Sequence, residues 1–171
     1  LGLQANMWTE HTRTFERLQH NVFPRLAAVA ETGWSPAERK DYADFLRRLP
    51  RQLQRYDALG LGYAKTPFAV DMVAEGDRKL GTATVTLSNP LGYDIHFTTD
   101  GSTPTAQSPR YQSPVPLTLP GTINAAAFFE GKPLVASSKQ AFDTQSLLQR
   151  TDESRSVCPD AGRLLLRLGG D

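Results

Sequence analysis

Trp8 and Glu10 stand two residues apart near the start of this chain, closing the mostly apolar run Gly2-Leu3-Gln4-Ala5-Asn6-Met7. In an extended segment, side chains two apart share a face. The pair would then set an aromatic wall beside a hydrogen-bond acceptor. Such a pocket suits a sugar, whose C–H face packs on a ring while its hydroxyls seek acceptors. A charged acceptor on a hydroxyl contributes about 1.5–3 kcal/mol. The plainer reading is a buried Trp beside a helix-start Glu that favours the macrodipole.

Other reactive types lack company. His11, next to Glu10, reads as a helix-surface histidine rather than a proton relay, His20 and His96 are isolated, and Cys158 has no Cys/His cluster near it for zinc. Arg13, Arg17 and Arg25 have Glu16 and Glu31 close enough to pair with, which reads as a solvated helix face. Asp100, Ser102 and Thr105 lack the spacing and carboxylate number of a calcium loop, so a hairpin turn is expected there. No metal and no cofactor is called for.

The elements that must position Trp8 and Glu10 follow from periodicity. Gly2 to Trp8 reads as a strand, with Thr9, or else Thr12, capping a helix after it. Phe15, Leu18, Val22, Leu26, Val29 and Ala30 recur at helical spacing. Pro24 divides that stripe into a helix ending near Asn21 and another starting at Pro24, stopped by Gly33. Ser35-Pro36 predicts a third helix from Pro36 to about Leu59. It carries Tyr42, Phe45, Leu46, Leu49, Leu53 and Tyr56 on one face, is bent at Pro50, and is ended by Gly60 and Gly62. Trp34 is expected to be packed.

Residues 66–144 lose the helical period. Thr82 to Leu87, Asp94 to Thr98, Thr122 to Phe129 and Ser138 to Phe142 alternate as half-buried strands do. Asn89-Pro90, Asp100-Gly101, Pro120-Gly121 and Glu130-Gly131 mark turns between them. A small antiparallel sandwich follows, with Tyr93, Phe97 and Tyr111 in its core rather than forming a glycan platform. Residues 145–171 are polar, with a lone strand at 164–168.

With 171 residues, 39% of them hydrophobic, and a formal net charge of +1, the chain is large enough for one domain or two small ones. Mixed charges give no nucleic-acid footprint. No apolar run is long enough to span a membrane. The chain opens inside a motif, without a visible leader, as though in mid-domain.

Gly2 to Glu10 resembles the GxQANxWTE segment of glycoside hydrolase family 20, the β-N-acetylhexosaminidases. Phe23-Pro24-Arg25-Leu26-Ala27-Ala28-Val29-Ala30-Glu31 and Gly33-Trp34-Ser35 resemble its continuation. Ile95-His96-Phe97-Thr98-Thr99-Asp100-Gly101-Ser102-Thr103-Pro104-Thr105, with Ser108 and Tyr111, is similar to the core of the chitobiase-type C-terminal β module. The resemblance covers about residues 1–145. It implies an α+β chain in two parts: residues 1–65 as the last β/α unit of a (β/α)8 TIM barrel, and residues 66–144 as an immunoglobulin-like β-sandwich. A tail or the start of a further domain follows at 145–171.

In that barrel, chemistry lies at the C-terminal ends of the strands, where Trp8 and Glu10 fall. The resemblance implies that Trp8 lines the pocket for a terminal N-acetylhexosamine and that Glu10 accepts from its far hydroxyls. The family's reaction is substrate-assisted, the 2-acetamido oxygen attacking the anomeric carbon. Its Asp-Glu pair belongs on an earlier strand. Asp152-Glu153, the one Asp-Glu in this sequence, sits in the polar tail in the wrong setting, so no catalytic residue is expected in this chain.

The implied function is thus that of a piece of an exo-β-N-acetylhexosaminidase, inactive alone. Its partner would be an N-acetylhexosamine-terminated oligosaccharide, such as a chitin fragment, and its location periplasmic or secreted. The competing readings are a non-catalytic carbohydrate-binding or bracing β module, and a gene remnant.

Overall fold

A computed structural model describes residues 2–8, 10–77 and 81–143. Expectations placed on Thr9, Asp152-Glu153, Cys158 and the 164–168 strand lie outside the described residues.

Thr14 starts the first helix, α1 (Phe15–Val22). Its backbone is extended and its hydroxyl accepts from the Arg17 N–H at 3.2 Å. Thr12, two residues earlier, does not fill that role. Pro24 precedes α2 (Arg25–Trp34), where a missing N–H costs nothing. Arg25 turns back onto the end of α1, donating to the carbonyls of His20 and Asn21. Gly33 does not stop α2; it lies in the last turn, where an added Cβ would come within 2.9 Å of Leu3 Cδ2. A small residue there lets the N-terminal segment lie against the helix.

Ser35-Pro36 opens only a 3-10 turn, Ala37–Arg39. The third helix, α3 (Tyr42–Ala58), starts later because Asp41 is the stronger cap. Its carboxylate accepts from the N–H groups of Ala43 and Asp44 at 2.9 and 3.2 Å. α3 runs through Pro50 and ends on Gly60 at φ +66°. Gly60 N–H reaches the Asp57 carbonyl and Leu61 N–H the Tyr56 carbonyl, the paired bonds of a left-handed C-terminal cap. Gly62 has a different task. Its N–H donates to Gln19 Oε1 at 3.1 Å, tying the chain beyond α3 to α1.

Among the described residues seven strands follow: β1 (Asp71–Asp77), β2 (Thr82–Ser88), β3 (Asp94–Thr98), β4 (Val115–Thr118), β5 (Gly121–Phe129), β6 (Lys132–Pro133) and β7 (Ser138–Phe142). They make two antiparallel sheets, one in the order β1-β2-β4 and one centred on β5. β3 pairs along one edge of β5, while β6 and β7 pair with the two ends of the other. β2 shows strict alternation, with Ala83, Val85 and Leu87 inward and threonines outward. A single core lies between the sheets. Met72, Val85, Leu87, Val115 and Leu117 from the first meet Ile95, Ile123, Ala125, Ala127 and Phe142 from the second. Phe97 and Tyr111 meet edge to face, with ring centroids 6.5 Å apart, and pack against that core as expected of them.

β5 is buried on both faces from Ile123 to Phe128. Its outer face is covered by the loop that leaves β3. Asp100 Oδ1 accepts from Ser102 N–H and hydroxyl, Gly101 takes φ +81°, and Thr105 and Ser108 close a second turn. The loop then returns alongside β3, with Phe97 N–H on the Pro109 carbonyl and Tyr111 N–H on the Ile95 carbonyl. His96 donates from Nδ1 to the Ser108 carbonyl at 2.7 Å and lies over the Phe128 ring. The Asp-Gly-Ser stretch is therefore a structural turn.

Candidate functional site

Trp8 and Glu10 are both exposed, Trp8 with 75% of its surface free. The expected strand over residues 2–8 is not formed. A strand exists through pairing, and no described residue of this chain offers 2–8 a partner. The segment lies instead across α2. Leu3 and Ala5 form with Leu26, Val29 and Trp34 a groove of about 560 Å³. Neither Trp8 nor Glu10 lines it.

The apolar residues of this part are strongly exposed: Leu3 55%, Phe15 67%, Leu26 40% and Trp34 90%. Neither α1 nor α2 contains a buried residue. Trp34, whose expected packing is beneath a barrel, is bare among the described residues. Exposed apolar side chains of this number commonly mark contact sites, and Leu3 belongs to the segment that carries Trp8.

Charged residues of α2 and α3 are tied to one another. Glu31 does not meet Arg25. It accepts two hydrogen bonds from Arg48 of α3, at 2.7 and 3.2 Å, and one from Ser35. Arg48 also reaches Asp44, which Arg47 contacts as well. These hydrogen bonds hold the Glu31 and Asp44 carboxyls below their ordinary range. His11 lies in a turn before α1 rather than on a helix surface. Among the described residues no group of three His, Cys, Asp or Glu side chains gathers to hold a metal ion. No helix among them is long and apolar enough to cross a membrane.

Residues 1–37 match the family described as "Glycosyl hydrolase family 20, catalytic domain", and residues 74–138 match "Chitobiase/beta-hexosaminidase C-terminal domain". The sequence is a family 20 segment joined to a β-hexosaminidase C-terminal domain. A "Beta-hexosaminidase" of Porphyromonas gingivalis is 36% identical over 128 residues, 72% of this chain and 16% of that protein. A "Beta-N-acetylhexosaminidase" of Cellulomonas fimi is 33% identical over 67 residues, 39% of this chain and 14% of that protein. A "Beta-hexosaminidase" of Akkermansia muciniphila is 35% identical over 48 residues, 28% of this chain and 10% of that protein. The chain spans less than one fifth of the length of each of these relatives.

The family 20 match includes both Trp8 and Glu10 and coincides with the apolar, unburied part of the molecule. The C-terminal-domain match coincides with the two-sheet core. What sequence reasoning missed is the commitment of Glu31 and Arg48 to one another. They lie 17 residues apart on two different helices, which leaves no local signal.

Proposed function

We propose that this chain works as part of an exo-β-N-acetylhexosaminidase, which removes terminal N-acetylglucosamine or N-acetylgalactosamine from oligosaccharides such as chitin fragments. The observation that carries this reading is the family 20 match over residues 1–37. Residues 1–65 would complete a (β/α)8 barrel, and 66–144 would be its immunoglobulin-like companion. In the assembled barrel, residues 2–8 gain neighbouring strands, and the bare apolar surface of Leu3, Phe15 and Trp34 is covered. Burial of that surface contributes roughly 25 cal/mol per Å². A periplasmic or secreted location agrees with a glycan substrate.

In this reading Trp8 packs against the terminal sugar and Glu10 accepts from its hydroxyls. The substrate's acetamido oxygen forms the bond to the anomeric carbon as the glycosidic C–O bond breaks. The departing oxygen takes a proton from an acid on another part of the barrel. Water then opens the cyclic intermediate with retention. Trp8 and Glu10 bind and orient; neither transfers a proton. This chain by itself would be inactive.

The test is Glu10→Gln in a hexosaminidase polypeptide containing this chain, assayed on a chromogenic N-acetyl-β-hexosaminide. Losing a charge-assisted hydrogen bond of about 1.5–3 kcal/mol lowers kcat/KM roughly ten- to a hundredfold, with KM raised and kcat reduced. Unchanged kinetics would remove Glu10 from the pocket. The alternative reading, a β module that binds glycan by itself, has less support, because its candidate aromatics Phe97 and Tyr111 pack against the core. A bracing role agrees with that packing.

A further inference from the structure

The two family matches leave residues 38–73 between them. Those residues hold all the buried members of a second core: Leu49, Leu53, Tyr56, Tyr63 and Phe68. From the β side Leu91, Tyr93, Leu134 and Val135 pack against it, and from the α1–α2 corner Phe23 and Ala27. A continuous file of rings crosses the seam, Phe23–Tyr56–Tyr63–Phe68–Tyr93–Phe129, with successive centroids 4.9 to 6.5 Å apart.

One polar contact in this seam is specific. Pro50 lies inside α3 and has no N–H, so it cannot donate to the carbonyl of Leu46 four residues back. A carbonyl orphaned at a partly buried site destabilises the helix. Tyr93, from the turn before β3, donates its hydroxyl to that same carbonyl at 2.7 Å. The sandwich thus provides the hydrogen bond that the helix's own sequence withholds. Arg51 of α3 and Glu130 of the β5–β6 turn add an ion pair at 3.1 Å.

We propose that α3 and the β-sandwich are one cooperative unit, keyed by Tyr93 to the gap that Pro50 leaves at Leu46. α3 is then the strut through which the sandwich holds the family 20 segment, and the module is a built-in brace rather than a freely moving appendage. This inference stands on packing and on one hydrogen bond, and it holds whatever the substrate.

The full chain tests it by a double-mutant cycle in urea unfolding. Tyr93→Phe keeps the ring and removes the hydroxyl. With Pro50 in place it lowers the folding constant about tenfold. In a Pro50→Ala background, where residue 50 again donates to Leu46, the same change lowers it less than about threefold. Equal losses in both backgrounds would overturn the key. Amide exchange of the Val85→Ala chain tests the unit. Val85 lies in the sheet-sheet core and outside the seam. Acceleration of the Leu49, Leu53 and Tyr56 amides by the same factor as those of β5 supports a single unit. Accelerated strands with α3 unchanged would overturn it. Should Val85→Ala fail to fold, the exchange comparison on Tyr93→Phe decides the same question: α3 speeding up alone refutes the unit.

Discussion

Arg48 of α3 holds Glu31 of α2 in a two-pronged grip, its Nη2 and Nη1 donating to the two carboxylate oxygens at 2.7 and 3.2 Å. The same guanidinium reaches Asp44 through Nε at 2.7 Å. One cation therefore neutralises two acids and ties α2 to α3. Planar guanidinium suits this better than an ammonium would.

Acid should undo it. Hydrogen bonds from Arg48, above all, hold Glu31 below its ordinary 4.5 and Asp44 below its ordinary 3.8. The unfolded chain takes up these protons at higher pH than the folded chain does. The contribution is complete above about pH 4.5 and is lost as pH falls through the depressed folded values. Thermal melting followed downward from pH 6 should show Tm declining in this window. Arg48→Met should have a lower Tm at pH 6 and a shallower decline. Parallel curves for the two chains would show that Arg48 carries none of the acid sensitivity.

Gly121 opens β5 beneath the end of β4. An added Cβ would stand 2.6 Å from the Thr118 carbonyl oxygen and 2.7 Å from Leu117 Cδ1. Backbone cannot swing aside as a flexible side chain can. Gly121→Ala should destabilise the sandwich by about 1–3 kcal/mol, the usual cost of overpacking. The urea midpoint should fall with an unchanged slope. A midpoint at or above that of the parent would mean that the β4–β5 turn relaxes freely.

Although β5 is buried on both faces rather than half-buried as its sequence suggests, strands β2, β3, β5 and β7 are legible in sequence within a residue or so at each end. β1 is not, because Asp71, Glu75 and Gly76 interrupt its inward Met72. β4 is not, because Pro116 reads as a breaker, although on β4 it disturbs only one rung. The apolar face of α3 was legible at Leu49, Leu53 and Tyr56, while Tyr42 remains 67% exposed. Its start lies later than Ser35-Pro36 suggests because Asp41, whose carboxylate accepts from two N–H groups, is the stronger cap. Pro50 announced a disturbed helix, but its remedy, Tyr93, donates to Leu46 from 47 residues away. For Trp8 and Glu10 the residue types were legible, whereas the pocket proposed for them would depend on strands that these residues do not find within the described chain.

Asn124 makes a sharper test of the covered face of β5. It is only 3% exposed, its Nδ2 donates to the Ser102 carbonyl at 2.9 Å, and its Oδ1 has no partner among the described residues. Thr98 Oγ1 donates to the same carbonyl at 2.6 Å. Asn124→Leu should therefore be close to neutral, within about 1 kcal/mol, since one bond and one orphaned acceptor disappear together. Asn124→Asp should cost about 3 kcal/mol or more near pH 7, because it sets a buried anion against a carbonyl oxygen. That deficit should shrink on acidification as the new carboxyl protonates. Aspartate tolerated as well as leucine would show the Asp-Gly-Ser loop standing away from the strand in solution.

The β5–β6 turn sets a backbone preference against a side-chain contact. Glu130 and Gly131 have φ of +49° and +76°, the two positive values of a tight hairpin turn, yet only the second is glycine. Glutamate in the left-handed region is disfavoured by about 1 kcal/mol or more. Its return is the ion pair with Arg51, whose partners are 69% and 57% exposed, and exposed pairs contribute about 0–1 kcal/mol. Glu130→Asn, which accepts this backbone, should then leave stability unchanged or raise it by up to about 1 kcal/mol. Gly131→Ala should lower it by about 1 kcal/mol or more. Thermal melts of the two variants in low and high salt separate the terms. Salt should trim the parent's stability slightly and leave the Glu130→Asn chain unaffected at this contact. A clear loss on Glu130→Asn that salt abolishes would reverse the ranking and make the ion pair to α3 the dominant reason for glutamate at this position.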